Sequence, residues 1–350
     1  METVTIHASK PYPVFIGDGL LHQAAHYLQP VVGQGAVTVV ADDKVFSLYG
    51  EALLAQLAAN GNRADSFVFP NGEQSKTADT YFALLNFMAG HEMSRSDTVI
   101  ALGGGVTGDL AGFAAATYMR GTRLVQMPTT LLAAVDSSVG GKTGVDLKAG
   151  KNLAGAFYQP DLVLCDYRLF DTLEDAVFTD GMGEVIKHAV LAGGELRDLL
   201  QFPLRQNLER LIFLNVSIKG AIIAADEREA GKRQLLNFGH TIGHAVETLS
   251  DYRLSHGQAV SIGACLMARI CETLGICTKT VADEIVALYQ RHGLPTETRF
   301  TARDIAAVAR HDKKRRSDRL TLVWVEDFGR CVLKNIEMDA YEDLLRLVLP

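Results

Sequence analysis

No apolar stretch in this chain approaches the ~18 residues that a membrane-spanning helix needs, so no such span is expected. The first residues, Met1-Glu2-Thr3-Val4, carry neither a basic nor an apolar segment, so no secretory leader is expected. Cysteine is scarce, with five residues, an odd number. Cys265, Cys271 and Cys277 are spaced by six, which scatters them around a helix and fits no C-x-x-C metal pattern. All five are expected as reduced thiols of a cytoplasmic protein. Positive charge is in deficit, with 34 Lys+Arg against 41 Asp+Glu and a net charge of −7. That excludes nucleic-acid binding driven by overall charge. Internal repeats and low-complexity segments are missing as well. The remaining composition, 48% hydrophobic and 21% charged over 350 residues, suits a soluble globular protein of two domains.

The first half alternates strand and helix signals. Val14–Ile16, Val37–Ala41, Phe67–Phe69, Asp97–Leu102, Leu124–Met127 and Asp161–Asp166 read as strands, mostly of the buried parallel kind. From Asp175 to about Arg310 the pattern is amphipathic helix with short breaks, followed by a strand over Arg319–Val325 and a closing helix over Tyr341–Val348. The expected fold class is α/β. A Rossmann-like parallel-sheet dinucleotide-binding domain occupies residues 1–175, and a mainly helical domain that binds metal and substrate occupies 176–350.

Gly103, Gly105 and Gly108 satisfy Gly-x-Gly-x-x-Gly between a strand and a helix rich in small residues. Glycines there let the backbone approach a pyrophosphate, whose charge the helix N-terminus favours. The acidic residue usual about 20 positions downstream is absent, since that region holds Arg120 and Arg123. Asp42, at the end of an earlier strand, could supply the ribose contact instead, or simply cap the helix that follows. Asp136–Gly144 resembles a P-loop but has Asp136 where glycine is required and does not follow a strand. It reads as a glycine-rich loop presenting Lys142 to an anion, with Lys148, Lys151 and Asn152 in a further polar loop.

Leu235–Glu247 places His240 and His244 four residues apart in an apolar helical pattern, so both rings share one face. His256 follows before another helical run, and Glu184 and His188 form a second i, i+4 pair. Glu plus two histidines is the composition of a catalytic zinc site with one position open. Spacing alone pairs His240 with His244. Satisfied core histidines, or an ordinary Glu184–Lys187 ion pair, are the plainer alternatives. Lys142, Lys151, Lys187, Lys219, Arg120, Arg233 and Lys313 suit a small substrate with more than one negative charge. A dinucleotide beside a Lewis-acid metal implies reversible alcohol oxidation.

Several motifs occur in order over essentially the whole chain. They are Gly103–Asp109, Pro128–Leu132, Val135–Lys142, Gly150-Lys151-Asn152, Gly155-Ala156-Phe157, Gly183-Glu184, Asn237–His240 and His256-Gly257. Together they resemble the 3-dehydroquinate synthase family of the shikimate pathway. The resemblance implies tightly bound NAD, regenerated in each turnover, and a divalent metal, usually zinc with cobalt as an alternative, on Glu184, His240 and His256. His244 is then left to assist proton transfer during phosphate loss. The implied substrate is 3-deoxy-D-arabino-heptulosonate 7-phosphate, oxidised at C5, relieved of phosphate by β-elimination, reduced again and closed by an intramolecular aldol step. Asp42, Glu73, Lys76, Gly104, Gly105, Val106, Asp109, Thr129, Thr130 and Leu132 fall at the family's NAD positions, and Lys142, Lys151 and Asn152 adjoin them. Asp136, Lys142, Asn152, Lys187, Lys219, Glu229, Arg233, Asn237 and His244 fall where substrate is handled, together with Lys313 or Lys314. Arg120 falls where the family reaches across a homodimer interface toward the phosphate. One departure bears on the metal: Gln258 stands where the family commonly has Glu. Related sugar-phosphate cyclases, a glycerol-dehydrogenase-like metal alcohol dehydrogenase and an inactive interaction module are the competing readings. Arg233, Asn237 and the Lys313/Lys314 loop argue for a substrate carboxylate, which the related cyclases' substrates lack. So many anion-binding groups argue against a simple dehydrogenase.

Overall fold

The structure is a computed structural model that describes residues 1–313 and 319–350. Its helices are α1 (Ala24–Val32), α2 (Asp43–Val45), α3 (Glu51–Ala59), α4 (Ala78–Gly90), α5 (Gly105–Thr117), α6 (Asp175–Ala192), α7 (Gly194–Leu199), α8 (Leu208–Ala225), α9 (His240–Leu249), α10 (His256–Thr273), α11 (Lys279–Arg291), α12 (Ala302–Lys313) and α13 (Met338–Leu345). The strands are β1 (Glu2–Ile6), β2 (Tyr12–Gly17), β3 (Val37–Asp42), β4 (Ala64–Phe69), β5 (Thr98–Gly103), β6 (Arg123–Pro128), β7 (Lys142–Leu147), β8 (Gly150–Phe157), β9 (Leu162–Asp166), β10 (Arg319–Asp327) and β11 (Arg330–Glu337). The chain divides into two compact units, Met1–Glu174 with Asn207–Arg228, and Asp175–Gln206 with Glu229–Pro350.

The first unit is built on a seven-stranded sheet in the order β1-β2-β9-β6-β5-β3-β4. β1 pairs antiparallel with β2, and every other pairing in this sheet is parallel. Strands β3, β5 and β9 are buried along their whole length. That is why they read as unbroken apolar runs rather than alternating ones. Val40, Val99, Leu110, Ala114 and Leu124 sit together in the core between sheet and helix. α5 lies close because it is made of small residues: a Cβ on Gly108 would stand 2.8 Å from Gln126 Oε1, and one on Gly112 2.5 Å from Thr143 Cγ2.

Two expectations for this unit are corrected. The glycine-rich stretches around Lys142 and Lys151 are not loops but the antiparallel hairpin β7–β8. Their glycines serve backbone approach across the ladder, since a Cβ on Gly155 would lie 2.1 Å from Thr143 O. Helix α8, expected with the second half, packs in the first unit, where a Cβ on Gly220 would meet Ile6 Cδ1 at 2.8 Å.

The second unit holds α6, α7, α9–α13 and the antiparallel hairpin β10–β11, of which β11 was not anticipated. The helix expected through Leu235–Glu247 begins only at His240. Lys232–Asn237 forms a 3₁₀ turn, and Gly239 breaks the run at φ 79°. α10 crosses α6 and α9 at glycines. A Cβ on Gly257 would stand 1.9 Å from Asp180 O, and one on Gly263 2.0 Å from Gly239 O. These contacts bring the starts of α9 and α10 within side-chain reach of Glu184 on α6. All five cysteines are free thiols, and among the described residues no helix is long and apolar enough to cross a membrane.

Candidate active site

In the second unit two imidazoles converge on one carboxylate. Glu184 is fully buried; its Oε1 lies 3.4 Å from His240 Nε2 and 3.3 Å from His256 Nε2, and its Oε2 pairs with Lys187 one turn along α6. Beyond those partners neither oxygen has a hydrogen-bond donor among the described residues. The donor atoms of Glu184, His240 and His256 all lie within 4.8 Å of one another, which fits the His₂Glu set of a divalent metal. Electrostatics point the same way. Burial opposes the Glu184 charge, but Lys187, then His240 and His256, hold the carboxyl well below its ordinary range. Surrounding protein also opposes a charge on His256, yet Glu184 and Glu247 push its pKa up to about 10. The space between the two carboxylates therefore favours a cation. The spacing-based pairing of His240 with His244 is corrected here. His244 shares the face of His240 but stands one turn further along α9 and is not in the Glu184 set; the second imidazole is His256, from the next helix. His188, although i+4 from Glu184, is buried on α6 and is not a member of this set.

His244 stands beside the set, its ring centroid 5.4 Å from that of His240 and 6.1 Å from that of His256. Enclosing protein and the two neighbouring rings push its imidazolium down, although the ring meets solvent. That lowering favours the neutral ring. Arg233 is buried in the 3₁₀ turn before α9, and Asn237 at the end of that turn donates from Nδ2 to Glu229 Oε1 at 2.7 Å. Glu229 adopts φ 61°, a left-handed conformation rare for this residue type. Lys313 closes α12, and Lys314 lies outside the described residues.

In the first unit, Lys76 Nζ donates to Asp109 Oδ2 and to Asn152 Oδ1, both at 2.6 Å. Burial acts against the Lys76 charge, but Asp109 and Glu73 raise its pKa; burial likewise pushes the Asp109 carboxyl up against the pull of Lys76. Asn152, at φ 54°, is held by its N–H to Asp146 Oδ1 at 2.8 Å, and Lys151 Nζ lies 3.7 Å from Glu73 Oε1. Lys219 of α8 reaches Asp136 Oδ1 at 2.8 Å and also donates to its carbonyl. Gly104 is the N-cap of α5 and brings no side-chain cap, so Gly105 and Val106 open the helix with their N–H groups directed out of its end. Thr129 is buried, Thr130 Oγ1 accepts from Ala133 N at 3.2 Å, and Leu132 is half-buried nearby. Asp42 does cap: its Oδ1 accepts from Val45 N at 2.9 Å. Lys142 is exposed at the start of β7. Arg120 is exposed at φ 65°, following Met119 at φ 49°.

Glu247, buried on α9, was not singled out by sequence. Its Oε2 lies 3.8 Å from His256 Nδ1. The available signal was its position, seven residues after His240 and three after His244, on the same helix face.

The description 3-dehydroquinate synthase N-terminal matches residues 66–180, and 3-dehydroquinate synthase C-terminal matches 181–315. The chain is similar to the 3-dehydroquinate synthase of Lactococcus lactis subsp. cremoris, 39% identical over 347 residues that cover 96% of this chain and 97% of that protein. It is 42% identical to that of Lactiplantibacillus plantarum over 327 residues, 92% of this chain and 91% of the relative. Among solved structures it resembles 2-epi-5-epi-valiolone synthase from Streptomyces hygroscopicus subsp. jinggangensis with NAD⁺ and Zn²⁺ bound, with TM-score 0.86 and 27% identity over 96% of each chain.

Proposed function

The chain belongs to the 3-dehydroquinate synthase family, and from that premise we propose that it converts 3-deoxy-D-arabino-heptulosonate 7-phosphate into 3-dehydroquinate and phosphate, as a carbon–oxygen lyase that uses NAD and a divalent metal. Glu184, His240 and His256 would hold the metal, which would supply polarisation of the C5 hydroxyl, and bound NAD would supply reversible hydride acceptance there. The observation that carries the metal assignment is the convergence of His240 and His256 on buried Glu184. It is supported by the zinc and NAD⁺ named for the valiolone synthase. Zinc is the expected ion, with cobalt the alternative.

The residues divide the remaining work. Gly104, Gly105, Val106 and the open end of α5 hold the dinucleotide pyrophosphate, with Thr129, Thr130 and Leu132 beside it, and Asp42, Glu73, Lys76, Asp109 and Lys151 around the rest of the cofactor. Lys142, Lys187, Lys219 and Arg233 balance the substrate's phosphate and carboxylate charges, and the neutral amide of Asn152 adds hydrogen bonds. Lys313 or Lys314 adds a further cation. Asp136 orients Lys219, and Asn237 orients Glu229. With a ketone at C5, the C6–H bond becomes acidic. His244, kept neutral, assists its proton transfer as the C7–O bond breaks and its electron pair leaves with phosphate. We assign Arg120 to a neighbouring subunit's phosphate site in a homodimer. Free cysteines accord with a cytoplasmic location.

The test is incubation of the protein with the heptulosonate phosphate, catalytic NAD and zinc. Stoichiometric phosphate without net NADH is expected. No phosphate across a range of divalent metals would overturn the reading, and net NADH from a simple polyol would favour a dehydrogenase.

A further inference from the structure

Each histidine of the metal set has a second ring nitrogen, and the protein places an oxygen near both, at hydrogen-bond distance for His240 and at ion-pair distance for His256. His240 Nδ1 lies 3.2 Å from the carbonyl of Phe238, in the turn just before its own helix. His256 Nδ1 faces Glu247 Oε2 at 3.8 Å, from a different helix. A histidine that gives Nε2 to a metal must carry its proton on Nδ1, and a group accepting that proton fixes both tautomer and ring rotation.

We propose that Glu247 is the positioning residue for His256, orienting its Nε2 toward the metal shared with Glu184 and His240. The assignment rests on the metal reading given above. Three features carry it. Glu247 is buried on α9, so its carboxylate faces protein rather than bulk water. It stands on the Nδ1 side of His256, whereas Glu184 stands on the Nε2 side at 3.3 Å. The donor atoms of His244, Glu247 and His256 also lie within 4.8 Å of one another, but that set leaves out the fully buried Glu184 carboxylate, on which both His240 and His256 converge.

The third feature is what Gln258 does. Its Oε1 accepts the backbone N–H of Ser255 at 3.1 Å, completing a capping box at the start of α10. Asp180 Oδ1 fastens the same turn by accepting from Gly257 N at 2.6 Å. Residue 258 thus holds the helix on which His256 is the first residue, while the carboxylate behind the imidazole comes from α9. A glutamine serves that cap as well as a glutamate, and the change leaves the backing of His256 intact.

The experiment is zinc affinity, by competition with a chromogenic chelator, on wild type, Glu247→Ala, Glu247→Gln and Gln258→Ala, without substrate. The visible spectrum of the cobalt-loaded proteins is read alongside. Glu247→Ala should lose affinity by about 10–100-fold and alter the cobalt bands, while Glu247→Gln, which keeps an oxygen on the Nδ1 side, recovers part of the loss. Gln258→Ala should stay within a few-fold of wild type. Far-ultraviolet circular dichroism and thermal unfolding, measured on the same metal-free samples, report whether each variant is folded. Wild-type affinity and spectrum in a folded Glu247→Ala overturn the assignment, as does a loss confined to Gln258→Ala. Failure of wild type to bind any divalent ion overturns the metal reading and this inference together.

Discussion

At the scale of single residues, the two histidines of α9 are distinguished by which partner each can reach. His240 meets Glu184 at 3.4 Å, while His244 lies beside the other two rings and near Glu247. His256→Ala should therefore lose the metal, and with it activity. His244→Ala should keep the metal and release phosphate about 10²–10⁴-fold more slowly, the usual worth of a positioned acid or base. Metal content by atomic emission and phosphate release in single turnover separate the two effects. A His244 variant that lost metal while the His256 variant kept it would sink the ligand assignment. The i, i+4 spacing made the histidines visible in the sequence, but not their division of roles, because His256 and Glu184 come from other helices. The left-handed backbones of Arg120, Asn152 and Glu229 were not legible at all. Nothing in a non-glycine residue's identity announces that its surroundings will hold it at positive φ.

At the scale of elements, glycine patterning was the least readable signal. Gly144 and Gly155 look like loop formers but sit opposite each other in a β-ladder, and Gly183, Gly257 and Gly263 lie inside helices where propensity disfavours them. Their meaning is the closeness of a neighbour that sequence does not show. Gly257→Ala would force a Cβ to within 1.9 Å of the Asp180 carbonyl, a backbone atom that cannot turn aside. The start of α10 must then move off α6, carrying His256 away from Glu184. We expect a loss of stability of about 1–3 kcal/mol and weakened metal binding, measured by thermal unfolding of metal-free protein and by zinc titration. Gly90→Ala is the contrast. Gly90 ends α4 without a positive φ, and a methyl group added there would have nothing within 4 Å. That substitution should stabilise by about 0.4–1 kcal/mol through the unfolded chain; a destabilised Gly90→Ala would show that the space around the position has been misjudged.

At the scale of the whole chain, the parallel strands, the run of helices and the change of texture near residue 175 were legible, because burial on both faces and 3.6-residue periodicity leave marks in composition. The excursion of residues 207–228 into the first unit was not, since an amphipathic helix carries no label for the surface it covers. A buried apolar face that includes Leu211, Ile212, Val216 and Ile223 packs it there, and side chains near its two ends add polar ties. Tyr167 donates to Glu209 Oε2 at 3.1 Å, and Glu227 accepts from Ser9 N at 2.7 Å, Ser9 Oγ at 2.8 Å and Gln159 Nε2 at 2.9 Å. Burial works against the Glu227 charge, but the bonds from Gln159 and Ser9 prevail and lower its pKa from the ordinary 4.5. A carboxylate whose folded pKa is depressed contributes stability that is present above its unfolded value and disappears as pH falls through the folded one. Glu227→Gln keeps the shape and loses the charge. The variant should therefore have a lower urea midpoint than wild type at neutral pH, and the gap should close as pH falls below 4.5 toward the folded pKa of Glu227. Because other carboxylates titrate in both proteins alike, the difference between the two curves isolates this group. A gap that is constant from neutral pH to about pH 3 would show that the glutamine has changed packing rather than charge, and an absent gap would show that the end of α8 is held to the first unit by its apolar face alone.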